Sequence, residues 1–368
     1  MPFAAKAAVF MGAGKPFEIK EYPVVAAPAG YAGLSLLSSG VCGTDLHIRS
    51  GRLASGSPSI IGHEFLGRVE DVAPGTVAGD GNPLKKGDMA LCYIACPCHK
   101  CPICGDGDDA NCPNMGVTNG GDPEQAPHFW GGFAEYNFTP VANLAKVPSD
   151  LDPVAVSLFA CAGPTSLHAF SLAERANIDI KKAGVAVVQG LGPVGLFAVW
   201  YLKSAGVKNV IAVTGRHNQR KFDIAAAYGA DEVYALAESG EEGVSARVME
   251  LSGGLGADLC FEGSGSRSAF PFGMSVLRNR GVYLVPGQYS DRGKVEISPE
   301  IITFKALQIL GSSQYSMCDI GAYLDFVSAH ADMLPLMKDT VTQYRVQDIN
   351  AAFADAEAGR NIKTVLTP

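Results

Sequence analysis

Cys98, Cys101, Cys104 and Cys112 stand in the spacing C-x2-C-x2-C-x7-C. Thiolates this close in sequence can converge tetrahedrally on one Zn2+, and four of them leave no open coordination position, so such a site serves structure. The segment around them, HKCPICGDGDDANCPN, is too polar to bury a cysteine cluster as core. Cys96 is an alternative to Cys98 in the set, and Cys92, in an apolar stretch, reads as a core residue. A second constellation is GVAVVQGLGPVG, in which Gly190, Gly192 and Gly195 follow an apolar run and open a helical pattern with Pro193 and Val194. That arrangement supplies a tight turn, a close backbone approach and a helix N-terminus able to hold a pyrophosphate. The plainer reading is a glycine turn that serves only helix–sheet packing. A third constellation is Cys42-Gly43-Thr44-Asp45-Leu46-His47, then Gly62-His63-Glu64, then Cys161 in FACAGPTS. Singly, each is as readily a hydrogen-bonded or buried side chain as a ligand. Spacing alone leaves a second metal site open.

Holding these groups takes two frameworks. From Lys6 to about Pro148 the chain is punctuated by Gly and Pro, with short apolar stretches at 7–10, 34–37, 65–72 and 89–93, the pattern of a strand-rich β domain. The stretch PGTVAGDGNPLKKGD, from Pro74 to Asp88, reads as a surface loop that tolerates insertion. After Ala183 the pattern becomes strand 185–188, helix 193–205, strand 210–213, helix 218–228 and strand 232–234. It continues with strand 258–262, helix 268–278 and strand 282–286, an alternation that predicts parallel βαβ units to about Ile302. The tail from Phe304 ends in helix 346–358 and strand 362–366.

The 368 residues carry 29 Lys+Arg against 37 Asp+Glu, a net charge of −8, so no sequence-wide positive field recruits nucleic acid or anionic lipid. Hydrophobic residues at 47% suffice for large cores. Glycine is the outlier, 43 residues or about 12% against a usual share of about 7%. The uncharged window 183–202 imitates a membrane span, but Gly184, Gly190, Gly192, Pro193 and Gly195 break it into strand, turn and helix. The N-terminus is too weakly apolar for a signal peptide, which predicts a cytoplasmic protein. Intracellular cysteines are by default core residues or metal ligands.

Taken together and in this order, the motifs resemble the zinc-containing medium-chain alcohol dehydrogenases, of the medium-chain dehydrogenase/reductase family, over almost the whole chain. The resemblance implies an α/β chain: a GroES-like β-rich catalytic domain over 1–162 with a zinc lobe at about 92–114, a Rossmann doubly wound parallel-sheet domain over 163–303, and a return to the catalytic domain over 304–368. It implies that Cys42, His63 and Cys161 bind a catalytic zinc and that Cys98, Cys101, Cys104 and Cys112 bind a structural one. Glu64 matches a carboxylate that approaches the metal transiently, and Asp45 an acid that orients His63. Thr44 and His47 match a proton relay. Thr165 is placed near the nicotinamide, Lys221 near the adenosine ribose and Lys363 near the pyrophosphate. The implied activity is reversible hydride transfer between an alcohol and NAD(P)+, by a homo-oligomer, dimer or tetramer, acting on a small molecule and engaging neither nucleic acid nor membrane. A polyol or amino-alcohol dehydrogenase of the same family is a second reading, and a non-catalytic NADP(H)-binding zinc protein a third.

One departure bears on the cofactor. Many relatives end the second Rossmann strand in an acid that binds the ribose diol, whereas Val213-Thr214-Gly215-Arg216-His217 has none. Gly215 leaves room for a 2′-phosphate, Arg216 offers a charged fork, and His217 and Arg220 add donors, which predicts NADP(H) over NAD(H). Arg216 stacked on the adenine of NAD(H) is the alternative. Phe129, Trp130, Phe159 and Tyr315 are candidates for the wall of an apolar substrate pocket or for plain core, and a pocket so walled suits a bulky or aromatic alcohol.

Overall fold

The computed structural model of the chain describes residues 4–287, 289–290 and 293–368. They form two compact units, one made of the chain up to Pro164 together with Tyr315–Pro368, the other of Thr165–Gln314.

The first unit is built on a seven-stranded sheet. Its path runs Val341–Arg345, Lys363–Thr367, Tyr31–Val41, Phe65–Asp71, Met89–Cys92 and Leu144–Val147, and Tyr136–Pro140 also pairs with Tyr31–Val41. Every pairing is antiparallel except that of Val341–Arg345 with Lys363–Thr367. Tyr31–Val41 is the organiser, being the longest strand and carrying three partners. The C-terminal strand docks on its far end, with Thr364 opposite Val41 and Val365 opposite Gly40. That pairing carries Lys363 to the Cys42 end of the strand. A small second sheet, Ala4–Val9 with Glu18–Pro23, closes an aromatic core containing Phe10, Phe17, Phe129, Phe133 and Phe138. The stretch 74–88 carries no regular element. A Val77–Pro83 bridge closes it on itself, and Asp80 ties it to the sheet through the Lys146 N–H.

The second unit is a six-stranded, all-parallel sheet. Its order is Glu232–Ala235, Asn209–Thr214, Val185–Gln189, Ala257–Glu262, Leu277–Val285 and Gln308–Gly311. Numbered along the chain this is 3-2-1-4-5-6, the Rossmann arrangement. The central strand VAVVQ is buried at every position, as a strand covered on both faces must be. Three boundaries differ from the sequence reading. The helix expected over 268–278 ends at Val276, and the strand runs from Leu277, earlier than 282. Helix Leu236–Leu251 was not anticipated, because Gly240, at φ 65°, breaks it and Gly243 dilutes its apolar period. Strand Gln308–Gly311 joins the sheet edge, so this unit continues past Ile302. No helix among the described residues is long and apolar enough to cross a membrane.

Candidate active site

In the first unit four potential donors gather from three segments. Cys42 ends the organiser strand's run and is the N-cap of helix Gly43–Arg49, His63 and Glu64 immediately precede strand Phe65–Asp71, and Cys161 precedes helix Ala162–Arg175. One ligand atom from each lies within 4.8 Å of the others. Asp45 couples two of these segments. Its Oδ2 accepts the Cys42 N–H at 2.8 Å, capping the helix, while its Oδ1 stands 3.3 Å from His63 Nδ1 and fixes the imidazole so that Nε2 is left for the cluster. Asp45 is completely buried, so this bridge is shielded from water.

The electrostatics fit a cation. A hydrogen bond from Cys161 and, against the cost of burial, the nearby His63 hold the Cys42 thiol well below its usual range. The same bond, together with burial, holds Cys161 well above it. Both thiols would have to give up their protons for a divalent metal to bind. Burial would lower His63, but Asp45 and Cys42 outweigh it and hold the imidazole well above its ordinary value. Burial pushes Glu64 up to about 7 against the pull of Lys363. Glu64 Oε2 accepts from Lys363 Nζ at 2.5 Å, while Oε1 is buried with no hydrogen-bond partner among the described residues. A soft–borderline set of two thiolates and an imidazole, with an orphaned carboxylate oxygen beside it, suits Zn2+.

The Glu64–Lys363 pair was not foreseen. Sequence reading placed Lys363 only near a pyrophosphate, and the pair joins residues 299 positions apart. Gly40 makes room for it, since a Cβ there would stand 1.9 Å from Glu64 Oε2 and 2.8 Å from Lys363 Cε. Thr44 Oγ1 lies 3.9 Å from Cys42 Sγ, and His47 follows one turn later on the same helix, 6% exposed. Of the aromatic candidates, Phe129 sits completely buried against Tyr22, Tyr136 and Phe138 and belongs to the core. Trp130 packs edge-on to Tyr31, and Phe159 is completely buried. Tyr315 is buried with its ring centroid 5.4 Å from that of Tyr93, and burial is the first cause that raises its phenol.

The other four cysteines form a second cluster in the same unit. Cys98, Cys101, Cys104 and Cys112 bring their sulfurs within 4.8 Å of one another, with Cys101 Sγ 3.4 Å from Cys104 Sγ and 3.9 Å from Cys112 Sγ. Backbone N–H groups already point at the sulfurs, from Cys98 to Cys112 and from Cys104 to Cys101. N–H donation at Lys100 and the Asn114 amide pull Cys98 down to about 6, whereas burial and its sulfur neighbours push Cys104 up to about 12. Cys96 stands outside the cluster with its thiol toward Ile94 O and Asn143, and Cys92 is buried against Asn137.

In the second unit Gly190 adopts φ 98° at the end of Val185–Gln189, where a Cβ would stand 2.9 Å from the Ser264 backbone. Gly192 caps helix Pro193–Ser204 with open space in front of it, and a Cβ on Gly195 would stand 1.9 Å from Gly190 O. Pro193 and Val194 fill the helix's first turn. Turn, open cradle and tight helix–strand packing are the three things a pyrophosphate site demands of its glycines. Gly215, Arg216, His217 and Arg220 are exposed beyond strand Asn209–Thr214, and the Asn218 side chain accepts the Lys221 N–H. Glu238 was not singled out in the sequence, yet its carboxylate lies 3.4 Å from His217 Nδ1. Thr165 is half-buried in the first turn of its helix.

Comparison with known families places these features together. The family model described as alcohol dehydrogenase GroES-like domain matches residues 29–149, and that described as zinc-binding dehydrogenase matches 193–329. The chain is 32% identical to a 5-exo-hydroxycamphor dehydrogenase of Pseudomonas putida, over 98% of each chain. It is 28% identical to a sorbitol dehydrogenase of Halalkalibacterium halodurans over 96% of each. Among solved structures, an alcohol dehydrogenase from Thermotoga maritima superimposes with a TM-score of 0.89 at 26% identity, covering all of both chains.

Proposed function

Because the chain belongs to the zinc-type medium-chain alcohol dehydrogenases and is an oxidoreductase, we propose that it interconverts an alcohol and its carbonyl compound, at a centre held by Cys42, His63 and Cys161, with NADP(H) preferred over NAD(H). The observation that carries this reading is the four-donor cluster, with His63 and Glu64 buried, Cys42 and Cys161 half-buried, and Asp45 locked behind His63. Bound zinc supplies a Lewis acid for the substrate oxygen, and the nicotinamide supplies the hydride acceptor or donor.

The chain's own residues do the rest. Asp45 keeps the His63 ring in the orientation that leaves Nε2 free for the metal. Lys363 holds one Glu64 oxygen, so that the unpartnered Oε1 is the atom left to face the cluster. The Thr44 hydroxyl, beside Cys42, accepts the substrate's proton as it gives up its own toward His47, which passes a proton outward, the two standing three positions apart on one helix. The Cys98–Cys112 lobe holds a second, structural zinc. The domains that carry these sites are the catalytic and cofactor-binding domains expected from the sequence, and the acting form is a cytoplasmic homo-oligomer.

For the substrate, the full-length similarity to a hydroxycamphor dehydrogenase supports a bulky secondary alcohol. Similarity to a sorbitol dehydrogenase supports a polyol as the second reading, against which Cys161 stands in place of the Glu found in several polyol-oxidising relatives. For the cofactor, Glu238 occupies His217, so Arg216 and Arg220 are the donors for a 2′-phosphate. A panel of primary, secondary, alicyclic and polyhydric alcohols against NAD+ and NADP+ tests both choices. Turnover fastest with an alicyclic secondary alcohol and NADP+ is expected, and preference for sorbitol-like polyols with NAD+ overturns them. Charge-assisted contacts contribute roughly 1.5–3 kcal/mol, so Arg216→Ala should raise KM for NADP+ about tenfold or more and scarcely alter that for NAD+. Equal effects on both refute the phosphate contact.

A further inference from the structure

Glu64 and Asp45 are buried carboxylates with a basic partner, Lys363 and His63 respectively. Glu262 differs. Completely buried, it closes strand Ala257–Glu262 at its carboxyl end, and among the described residues it forms no ion pair. Its oxygens accept instead from the Ser264 N–H at 2.8 Å, the Gly265 N–H at 3.1 and 3.2 Å, and the Ser264 hydroxyl. Tyr289 lies alongside, its phenol held up by burial and then by the Glu262 charge. The loop after Leu277–Val285 passes so close that a Cβ on Gly287 would stand 1.9 Å from Glu262 Oε2. A surround made only of donors is the one an acceptor-only carboxylate needs.

Where the charge sits suggests its use. Strand order reverses between Val185–Gln189 and Ala257–Glu262, the point at which this topology binds a dinucleotide. Glu262 is fastened to the glycine turn there. Gly263 N–H donates to Gln189 O at 2.9 Å, and Ser264, which donates twice to Glu262, is the residue a Cβ on Gly190 would strike. The sheet consists of two mononucleotide-binding halves. Arg216 lies at the end of a strand of the first half, and Ala257–Glu262 opens the second. The adenosine phosphate end therefore falls to the first half and the nicotinamide end to that of Glu262.

We propose that Glu262 is a charge-selective binding residue for the oxidised nicotinamide ring, a fixed anion behind loop 263–265 that favours the cationic pyridinium over the neutral dihydropyridine. This rests on the glycine turn binding a nicotinamide dinucleotide, as in the proposed function, and it does not depend on the choice between NAD and NADP. A nearby opposite charge at a protein-like effective dielectric is worth about tenfold or more in affinity.

The test is equilibrium titration of the zinc-loaded protein with NADP+, NADPH, NAD+ and the neutral benzamide isostere of NAD+. The wild-type protein is expected to bind NAD+ about tenfold tighter than the isostere. Glu262→Gln should bring the two within about twofold and weaken NADP+ about tenfold while changing NADPH less than twofold. Glu262→Asp, which keeps the charge, should retain the gap. Equal weakening of oxidised and reduced cofactor by Glu262→Gln would reduce Glu262 to a loop anchor and overturn the proposal. So would equal binding of NAD+ and its isostere by the wild-type protein, a result that needs no variant to fold. Failure to bind any of the four would overturn the cofactor reading and this inference with it.

Discussion

Cys98, Cys101, Cys104 and Cys112 come from one short stretch, closed at its base by a two-residue strand pair, Ala95–Cys96 with Gly116–Val117. Cys42, His63, Glu64 and Cys161 come from three distant segments that only the seven-stranded sheet brings together. The first cluster has almost no core behind it. Between Cys96 and Val117 only Ala110 and Cys112 are buried, and Ile103 and Val117 face solvent. The second stands on buried strands, with Asp45 and the Glu64–Lys363 pair locking its donors. The lesson is a division of labour. On the proposed function, metal would make the structure in the lobe, and in the other centre the structure would make the metal site.

Several substitutions would break that contrast. The largest effect is expected from Cys161→Ala, which removes a ligand while the sheet holds the other donors in place. It should lower kcat/KM on the order of a thousandfold or more, since metal-supplied charge stabilisation amounts to several kcal/mol. Thermal unfolding should shift little. Steady-state kinetics beside a melting curve checks both, and activity within a few-fold of the parent would mean that Glu64 is the third ligand. Cys104→Ser should do the reverse, with unfolding several degrees lower and one zinc equivalent lost, because structural zinc contributes folding free energy directly. Asp45→Asn sharpens the comparison further. It leaves all ligands present and loosens only the His63 ring, so a loss of 10- to 100-fold in metal affinity or activity is expected, read by competition with a chelator. The smallest change is expected from His47→Gln, which should slow alcohol oxidation most at low pH, where solvent base cannot replace the imidazole. A pH–rate profile lowered uniformly would give His47 a steric role instead.

The same contrast governs what could be read from the sequence. The gathering of the four lobe cysteines was legible because they are neighbours in the chain, spaced C-x2-C-x2-C-x7-C. The parallel sheet was legible because strands buried on both faces appear as unbroken apolar runs, as in VAVVQ. The Cys42–His63–Glu64–Cys161 cluster was not legible from spacing, and only resemblance joined Cys161 to Cys42. Least visible were the pairings made by sheet register. Nothing in the chain announces that Lys363 meets Glu64, or that Gly40 must be glycine to admit them. Glu238 against His217 escaped for the same reason, each lying on a different connection of the sheet. The strand start at Leu277 was missed because its first residues, LRNRG, are mostly polar and end in glycine, with Arg280 at φ 59°, so they read as a loop before the apolar run from Val282.

Zinc content per chain of the wild-type protein, Cys161→Ala and Cys104→Ser, measured on freshly purified samples by atomic emission, tests the two-centre account most directly. Two zincs in the wild type and one in each variant are predicted, with the Cys161→Ala protein inactive yet stable and the Cys104→Ser protein destabilised. One zinc in the wild type, or a Cys161→Ala protein that keeps both, would contradict it.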